Sequence, residues 1–174
     1  MSPAGAASIE LQPAEFDICG PPPTGVTVLE ASAGTGKTYT IASLAARYVA
    51  DGIPLERLLL VTFTRIATGE LRERVRDRLV AVERGLTRAL DGVLGEEDDL
   101  LALLAEGSPA QVAQRRDRLA LAVASFDAAT IATTHGFCQE VLGGLGIAGD
   151  LEPDVTFVED LSDLVSEEIG RAHV

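Results

Sequence analysis

The order of apolar and polar residues along the chain predicts short strands that alternate with helices. The β-branched run VTVLEA at residues 26–31 has strand length, and it is followed by a glycine-rich turn and a helical pattern that stops at Gly52. An uninterrupted apolar run predicts a second strand near residues 58–63, and ATIATT at 129–134 predicts a third. The uninterrupted run of the second strand is typical of a strand that helices cover on both faces.

Helical patterns fill the interval between the second and third predicted strands. An amphipathic helix is expected from Ile66 to about Leu90, followed by a helix in GEEDDLLALLAEG and another that begins with Ser108 as N-cap and Pro109 at its first position. A further helix is expected in HGFCQEVLGGLG. The pattern therefore predicts an α/β fold with a parallel sheet and a helical insertion between the second and third strands.

Composition restricts the class of protein. The chain has 174 residues, 47% of them hydrophobic, which is enough to form one core. The net charge of -13 argues against a surface that attracts nucleic acid through general positive charge, but it does not exclude a local binding site. No uncharged apolar run approaches the roughly 18 residues of a membrane span, so we expect a cytoplasmic protein without a membrane partner. Cys19 and Cys138 lack metal-ligand spacing. The arginines of residues 65–88 and of the RRDR run are predicted to be mostly a solvated face.

The single lysine of the chain marks the main candidate site. Lys37 follows a predicted strand and begins a predicted helix, where backbone N–H groups and the positive helix end can bind phosphate. Lys37 can reach the β- and γ-phosphates of a nucleotide, and the Thr38 hydroxyl can join the shell of a Mg²⁺ ion. Ala31 stands where a phosphate loop normally has its first glycine. The candidate nucleotide-binding residues are Ala31, Ser32, Ala33, Gly34, Thr35, Gly36, Lys37 and Thr38.

Two further motifs follow the later predicted strands. TFT with ATGELR comes after the second strand, and THGFC after the third. Together with ASAGTGKT they resemble the start of the ATP-binding domain of superfamily 1 helicases of the UvrD/RecB kind, most similar to the RecB (beta) subunits of exodeoxyribonuclease V. The resemblance covers about residues 16–166. Arg65 and Gly69 differ from the commoner family residues.

The resemblance implies a partial RecA-like phosphate-loop NTPase domain that uses ATP and Mg²⁺, with Lys37 and Thr38 as catalytic residues. It also implies translocation on single-stranded DNA, unwinding of duplex ends in recombinational double-strand break repair, and partner subunits like RecC and RecD. By position, the DNA-contacting residues would be Phe63, Thr64, His135 and Phe137. Core packing is the alternative role for the two phenylalanines, and a simple helix-start position is the alternative for His135.

Other features indicate an incomplete enzyme. The acidic pair that ATP hydrolysis needs on a later strand is not found, because VTFVED at 155–160 is better explained as a loop or edge strand. We therefore expect these 174 residues alone not to hydrolyse ATP. Residues 1–25 are expected to be an extended lead-in, and residues 26–166 the N-terminal part of the UvrD-like helicase ATP-binding domain. Residues 167–174 are expected to be an artefactual terminus, since EIGRAHV resembles a translated sequencing adapter. A small phosphate-loop kinase or nucleotidase, or a non-catalytic nucleotide-binding module, remains an alternative.

Overall fold

Five α-helices, two β-strands and two short 3-10 helices form the described part of the chain. The computed structural model describes residues 15–31, 36–93 and 98–144. The chain divides into two units, Met1–Phe137 and Cys138–Val174, and the last helix crosses their boundary. In chain order the elements are α1 (Lys37–Asp51), β1 (Leu59–Thr62), α2 (Arg65–Leu90), α3 (Asp99–Leu104), α4 (Pro109–Ala124), β2 (Thr130–Thr133) and α5 (Thr134–Gly144).

The core lies between three helices. Helix α2 packs against α1 and α4, and α1 also packs against α4. The buried stripe of α2 recurs every three or four residues, as an amphipathic helix requires, and consists of Leu71, Val75, Leu79, Val82 and Leu86. Helix α1 contributes mainly small side chains, so its backbone can approach its neighbours closely. The alanine face of α1 is the buried one, whereas Ile41 is exposed.

Local signals in the sequence set most helix ends. Thr64 caps α2 by accepting a hydrogen bond from the Ala67 N–H at 3.1 Å. The predicted start of α4 is confirmed, because Ser108 and Gln111 form a reciprocal capping box with Pro109 at the first position. Gly52 ends α1 with φ at 110°, a left-handed conformation that favours glycine.

The sheet consists of two parallel strands in the described part of the chain. Leu59 pairs with Thr130 and Thr62 with Thr133, so both strands end at the same edge. The predicted second and third strands are confirmed, with three helices between them as the predicted insertion. The expectation that helices cover both faces of the second strand was wrong for the described residues, because Leu59 and Val61 leave one face of β1 exposed. The prediction of a strand at residues 26–31 was wrong. No described residue pairs with this segment, and Val26 is 98% exposed, so its β-branched pattern has neither a ladder partner nor cover.

Arginine side chains fasten the insertion, contrary to the expectation of a solvated face for the RRDR run. Arg115 donates to the Leu104 carbonyl at 2.8 Å, at the end of α3, and Arg118 donates to the Ala50 carbonyl at 2.8 Å, at the end of α1. The last carbonyls of a helix lack partners within the helix and carry partial negative charge, so a guanidinium satisfies them well. Most arginines of α2 are exposed as predicted, but Arg78 is buried.

The described part of the predicted lead-in turns back onto α1. Arg47 donates to the carbonyls of Ile18 and Gly20 at 2.5 Å each, and the Tyr48 hydroxyl donates to the Pro23 carbonyl at 3.0 Å. Residues 15–25 contain no helix or strand, as their proline and glycine content predicts.

Among the described residues, no helix is long and apolar enough to cross a membrane. The predictions for residues 155–160 and 167–174 lie outside the described residues.

Candidate nucleotide and DNA site

The start of α1 has the geometry of an anion-binding helix end. Gly36 precedes the helix with φ at 85°, a conformation that residues with a side chain rarely adopt. Its carbonyl accepts the first helical hydrogen bond, from the Thr40 N–H at 2.8 Å. Gly36 has no side chain with which to cap α1, and the N–H groups of a first helical turn can donate to an external acceptor such as a phosphate oxygen.

Lys37 folds back towards the beginning of the predicted phosphate loop. Its ammonium nitrogen donates to the Ala31 carbonyl oxygen at 2.7 Å, so the two ends of the loop lie together. Thr38 follows in the first turn with an exposed side chain. The structure thus brings together Ala31, Gly36, Lys37 and Thr38 of the predicted site, whereas Ser32, Ala33, Gly34 and Thr35 lie outside the described residues. Contact of these residues with a nucleotide stays a prediction.

A cleft of about 950 Å³ lies between the start of α1 and the facing side of α2. Lys37, Thr38 and Tyr39 line it from α1. Helix α2 contributes charged side chains of both signs, namely Glu70, Glu73, Arg74, Asp77 and Arg78. With Lys37, the lining carries three positive and three negative groups, so the cleft has no net formal charge. No group of three or more metal-ligating side chains occurs in the described ranges.

Arg78 connects the cleft to the start of α3. Its guanidinium lies over the Tyr39 ring, 4.9 Å from the ring centre, and makes a two-pronged ion pair with Asp98 in which Nη2 and Oδ1 are 2.9 Å apart. Asp98 also caps α3 by accepting from the Leu101 N–H at 3.2 Å. Sequence reasoning missed this cluster, because the residues are far apart in the chain. Only the capping role of Asp98 had a local signal, an acidic residue just before an apolar helix.

The protonation of Asp98 follows from these contacts. Burial by itself would raise the pKa of its carboxyl group. Hydrogen bonds from Arg78 and from the Leu101 N–H, together with the charge of Arg78, outweigh burial and hold the pKa of Asp98 below its usual range. The carboxylate therefore stays charged, which keeps the ion pair to Arg78 intact across the neutral pH range.

The predicted DNA contacts lie where the two strands end. The Thr134 hydroxyl donates across the sheet to the Thr62 carbonyl at 3.4 Å, so the residues after β1 and β2 are neighbours. Phe63 is 93% exposed among the described residues, so no described side chain packs over its ring. Thr64 caps α2, and its carbonyl accepts from the Thr68 hydroxyl at 2.9 Å. These bonds fix the backbone on both sides of the exposed ring.

The two candidate DNA-contacting residues after β2 differ in exposure. His135 is exposed in the first turn of α5, whereas Phe137 is partly buried. The Gly136 N–H donates to the Thr133 hydroxyl at 3.0 Å, which fixes the turn into the helix. Sequence reasoning also missed Ile66, which is 78% exposed beside the Thr64 cap. The sequence could have indicated this exposure, because Ile66 comes before the first residue of the buried stripe of α2. Contact of any of these residues with DNA stays a prediction.

Comparison with known proteins confirms the resemblance. Residues 12–169 match the model of the UvrD/REP helicase N-terminal domain. Three similar proteins are each named RecBCD enzyme subunit RecB. The one from Mycolicibacterium smegmatis is 54% identical over 155 residues, and the one from Mycobacterium tuberculosis strain H37Rv is 50% identical over 155 residues. Both alignments cover 87% of this chain and 14% of the relative. The one from Escherichia coli K12 is 40% identical over 132 residues, which are 70% of this chain and 10% of the relative.

The chain therefore spans only about 14% of the length of the mycobacterial relatives it matches. The matched segment nevertheless includes the start of α1 and the ends of both strands, where the candidate residues lie. Since the family model covers most of the chain, the assignment does not depend on one motif. The chain belongs to the UvrD/REP helicase N-terminal domain family.

Proposed function

We propose that this chain binds ATP with Mg²⁺ at the start of α1 and, as part of a longer protein, contributes to ATP-driven translocation on single-stranded DNA and to the unwinding of duplex ends. The observation that carries the proposal is the position of Lys37 and Thr38. They stand in the first turn of a helix, after a left-handed glycine, and they line a cleft large enough for a nucleotide.

The residues present fit the nucleotide and the metal ion. The Lys37 ammonium lies 2.7 Å from a backbone carbonyl, a contact that it can exchange for a phosphate oxygen without leaving the loop. The Thr38 hydroxyl is exposed beside it and can enter the coordination shell of Mg²⁺. Because the cleft has no net formal charge, the metal ion would be needed to neutralise much of the triphosphate.

Each protein group then has a defined task. ATP with Mg²⁺, when bound, supplies the phosphoryl group and part of its charge neutralisation. The N–H groups of the first turn of α1 hold phosphate oxygens, and Lys37 adds a charge-assisted hydrogen bond to them. Thr38 orients the metal ion. Hydrolysis also requires an acidic pair and arginines from another domain, which we expect from the rest of the longer protein.

Single-stranded DNA would lie across the carboxyl ends of β1 and β2. Ligands of parallel α/β sheets collect at this edge, and aromatic rings there can stack on bases without a cationic field. The exposed ring of Phe63 and the exposed His135 suit that task, with the Thr64 region as a polar neighbour. Phe137 would contribute through the part of its ring that is not buried.

The names of the relatives support the wider role. They are subunits of a RecBCD enzyme, so we infer a recombinational repair function with RecC- and RecD-like partner subunits, in the cytoplasm. The family match does not favour a small kinase, nucleotidase or non-catalytic binding module.

The test is the affinity of the chain for ATP with Mg²⁺, measured by calorimetry, before and after Lys37→Ala. A charge-assisted hydrogen bond is worth roughly 1.5–3 kcal/mol, so the variant should bind about 10- to 150-fold more weakly. Arg57→Ala removes an exposed positive charge away from the cleft and is the control for net charge. Binding by Lys37→Ala within twofold of the wild type would refute the assignment.

The longer protein allows a second test. DNA-stimulated phosphate release should disappear in Lys37→Ala, because the lysine also stabilises charge that develops during transfer. The 174-residue chain itself should release no phosphate steadily. Steady release from this chain that depends on Lys37 would reveal an acidic group that the sequence pattern does not predict.

A further inference from the structure

The first turn of α1 needs support from outside the helix. Gly36 supplies no capping side chain, and Lys37, Thr38 and Tyr39 are all exposed residues. A helix end of this kind frays readily unless other groups fix it. Phosphate binding depends on the positions of its N–H groups, so whatever fixes this turn also influences affinity.

Arg78 provides such support through Tyr39. The Arg78 side chain is 9% exposed, and its guanidinium lies 4.9 Å from the centre of the Tyr39 ring and donates to both carboxylate oxygens of Asp98. A two-pronged arginine–carboxylate pair restricts the orientation of the guanidinium plane as well as its distance. The plane cannot rotate without breaking at least one of these hydrogen bonds.

Two further observations indicate that the orientation of Arg78 is imposed. Its Nε–H is buried and has no acceptor among the described residues, a cost that the contacts with Tyr39 and Asp98 must offset. Asp98 is itself fixed, because it caps α3 through the Leu101 N–H. The cluster thus forms a continuous connection from the start of α3 to the start of α1.

We propose that Arg78 is a positioning residue of the nucleotide site: held by Asp98, it fixes Tyr39 and thereby the first turn of α1 that carries Lys37 and Thr38. The inference rests on the proposed function for its consequence in binding, since a better-fixed first turn presents its N–H groups to phosphate at a lower entropic cost. The mechanical part, that Arg78 holds this turn in place, does not depend on nucleotide.

The mechanical part is tested by amide hydrogen exchange in the full chain without nucleotide. Arg78→Lys keeps a positive charge but loses the planar fork, so the Thr40 amide, which bonds to the Gly36 carbonyl, should exchange about tenfold faster. The amide of Val49, in the same helix but far from Arg78, should be unchanged. Equal acceleration at both amides would mean that Arg78 only stabilises the fold, and no acceleration at Thr40 would also overturn the proposal.

The functional part is tested with ATP and Mg²⁺ in a double-mutant cycle. Arg78→Lys and Tyr39→Leu should each weaken binding about tenfold, and the double variant should be within twofold of the weaker single one, because both changes break the same connection. Arg76→Lys, on the exposed face of α2, is the matched control and should bind like the wild type. Losses that multiply in the double variant would refute action through Tyr39.

The two proposals fail in different ways. If neither the wild type nor any variant binds ATP, the proposed function falls, while the exchange at Thr40 still decides the mechanical role of Arg78. If Lys37→Ala abolishes binding but Arg78→Lys has no effect on it, the nucleotide site stands and the positioning role is refuted. Asp98→Asn, which keeps a good N-cap but weakens the ion pair, should accelerate exchange at Thr40 by a smaller factor than Arg78→Lys.

Discussion

Replacing Phe63 with alanine separates a DNA contact from a core residue more sharply than any other change in this chain. Phe63 is 93% exposed, although it directly follows a strand whose apolar pattern would suit burial. Its backbone is fixed by the Thr64 cap and the hydroxyl network around it, so removal of the ring leaves the turn intact. The change therefore acts on the surface alone.

The expected magnitudes follow from exposure. Because Phe63 buries almost none of its surface, Phe63→Ala should change the free energy of unfolding by no more than about 0.5 kcal/mol. If the ring stacks on a base, its loss should weaken single-strand binding by about 1–3 kcal/mol, which is roughly 5- to 150-fold in affinity. Phe126 is a matched control for stability, because it is only 6% exposed and Phe126→Ala should cost about 3–5 kcal/mol.

Two measurements check the reasoning. Urea unfolding compares the stability of the two variants with the wild type, and fluorescence anisotropy with a labelled oligothymidylate compares the affinity of Phe63→Ala for single-stranded DNA. The affinity for ATP should be nearly unchanged. Wild-type DNA affinity in Phe63→Ala, or a loss of stability close to that of Phe126→Ala, would refute the proposed role of the ring.

Two further predictions concern the helical insertion. The free energy of unfolding should fall as pH drops below about 4, because folding lowers the pKa of Asp98 and its ion pair with Arg78 contributes fully only above the ordinary aspartate pKa. Urea unfolding at pH 2–5 should show a flatter dependence of this free energy on pH in Asp98→Asn. An unchanged dependence would contradict the prediction. Gly85→Ala should destabilise the fold by about 1–3 kcal/mol, since the added Cβ would lie 2.5 Å from the Leu101 side chain. Gly69→Ala has open space around it and should stabilise the fold by up to about 1 kcal/mol. Equal effects of the two changes on the free energy of unfolding would refute the packing argument.

Local chemistry explains why much of the fold could be predicted. Helix α4 begins where serine, proline and glutamine supply a cap and a suitable first position, and all three act within one turn. Gly52 ends α1 for an equally local reason. The strands β1 and β2 were found from apolar runs, and the candidate residues after them could be placed at one edge because parallel strands end together.

Long-range requirements explain the failures. The run at residues 26–31 has the composition of a strand, but a strand also needs a partner for its backbone groups, and composition does not show whether one is near. The pairing of Arg78 with Asp98 joins residues on two different helices, and nothing in either segment marks it. Phe63 is exposed because it lies just after the last residue of β1, and the periodicity of the sequence locates the end of a strand only to within a few residues.

The insertion holds α1 at both ends, and this arrangement has a physical consequence for the nucleotide site. At its start, Tyr39 contacts Arg78; at its end, Arg118 donates to the Ala50 carbonyl, and its guanidinium would lie 3.2 Å from a Cβ added at Gly52. Movement of α1 along its axis would break hydrogen bonds at one end or the ring contact at the other. Because α1 carries the turn that we propose binds phosphate, the insertion and this turn should move as one body, and any displacement that nucleotide binding causes should be taken up outside these helices.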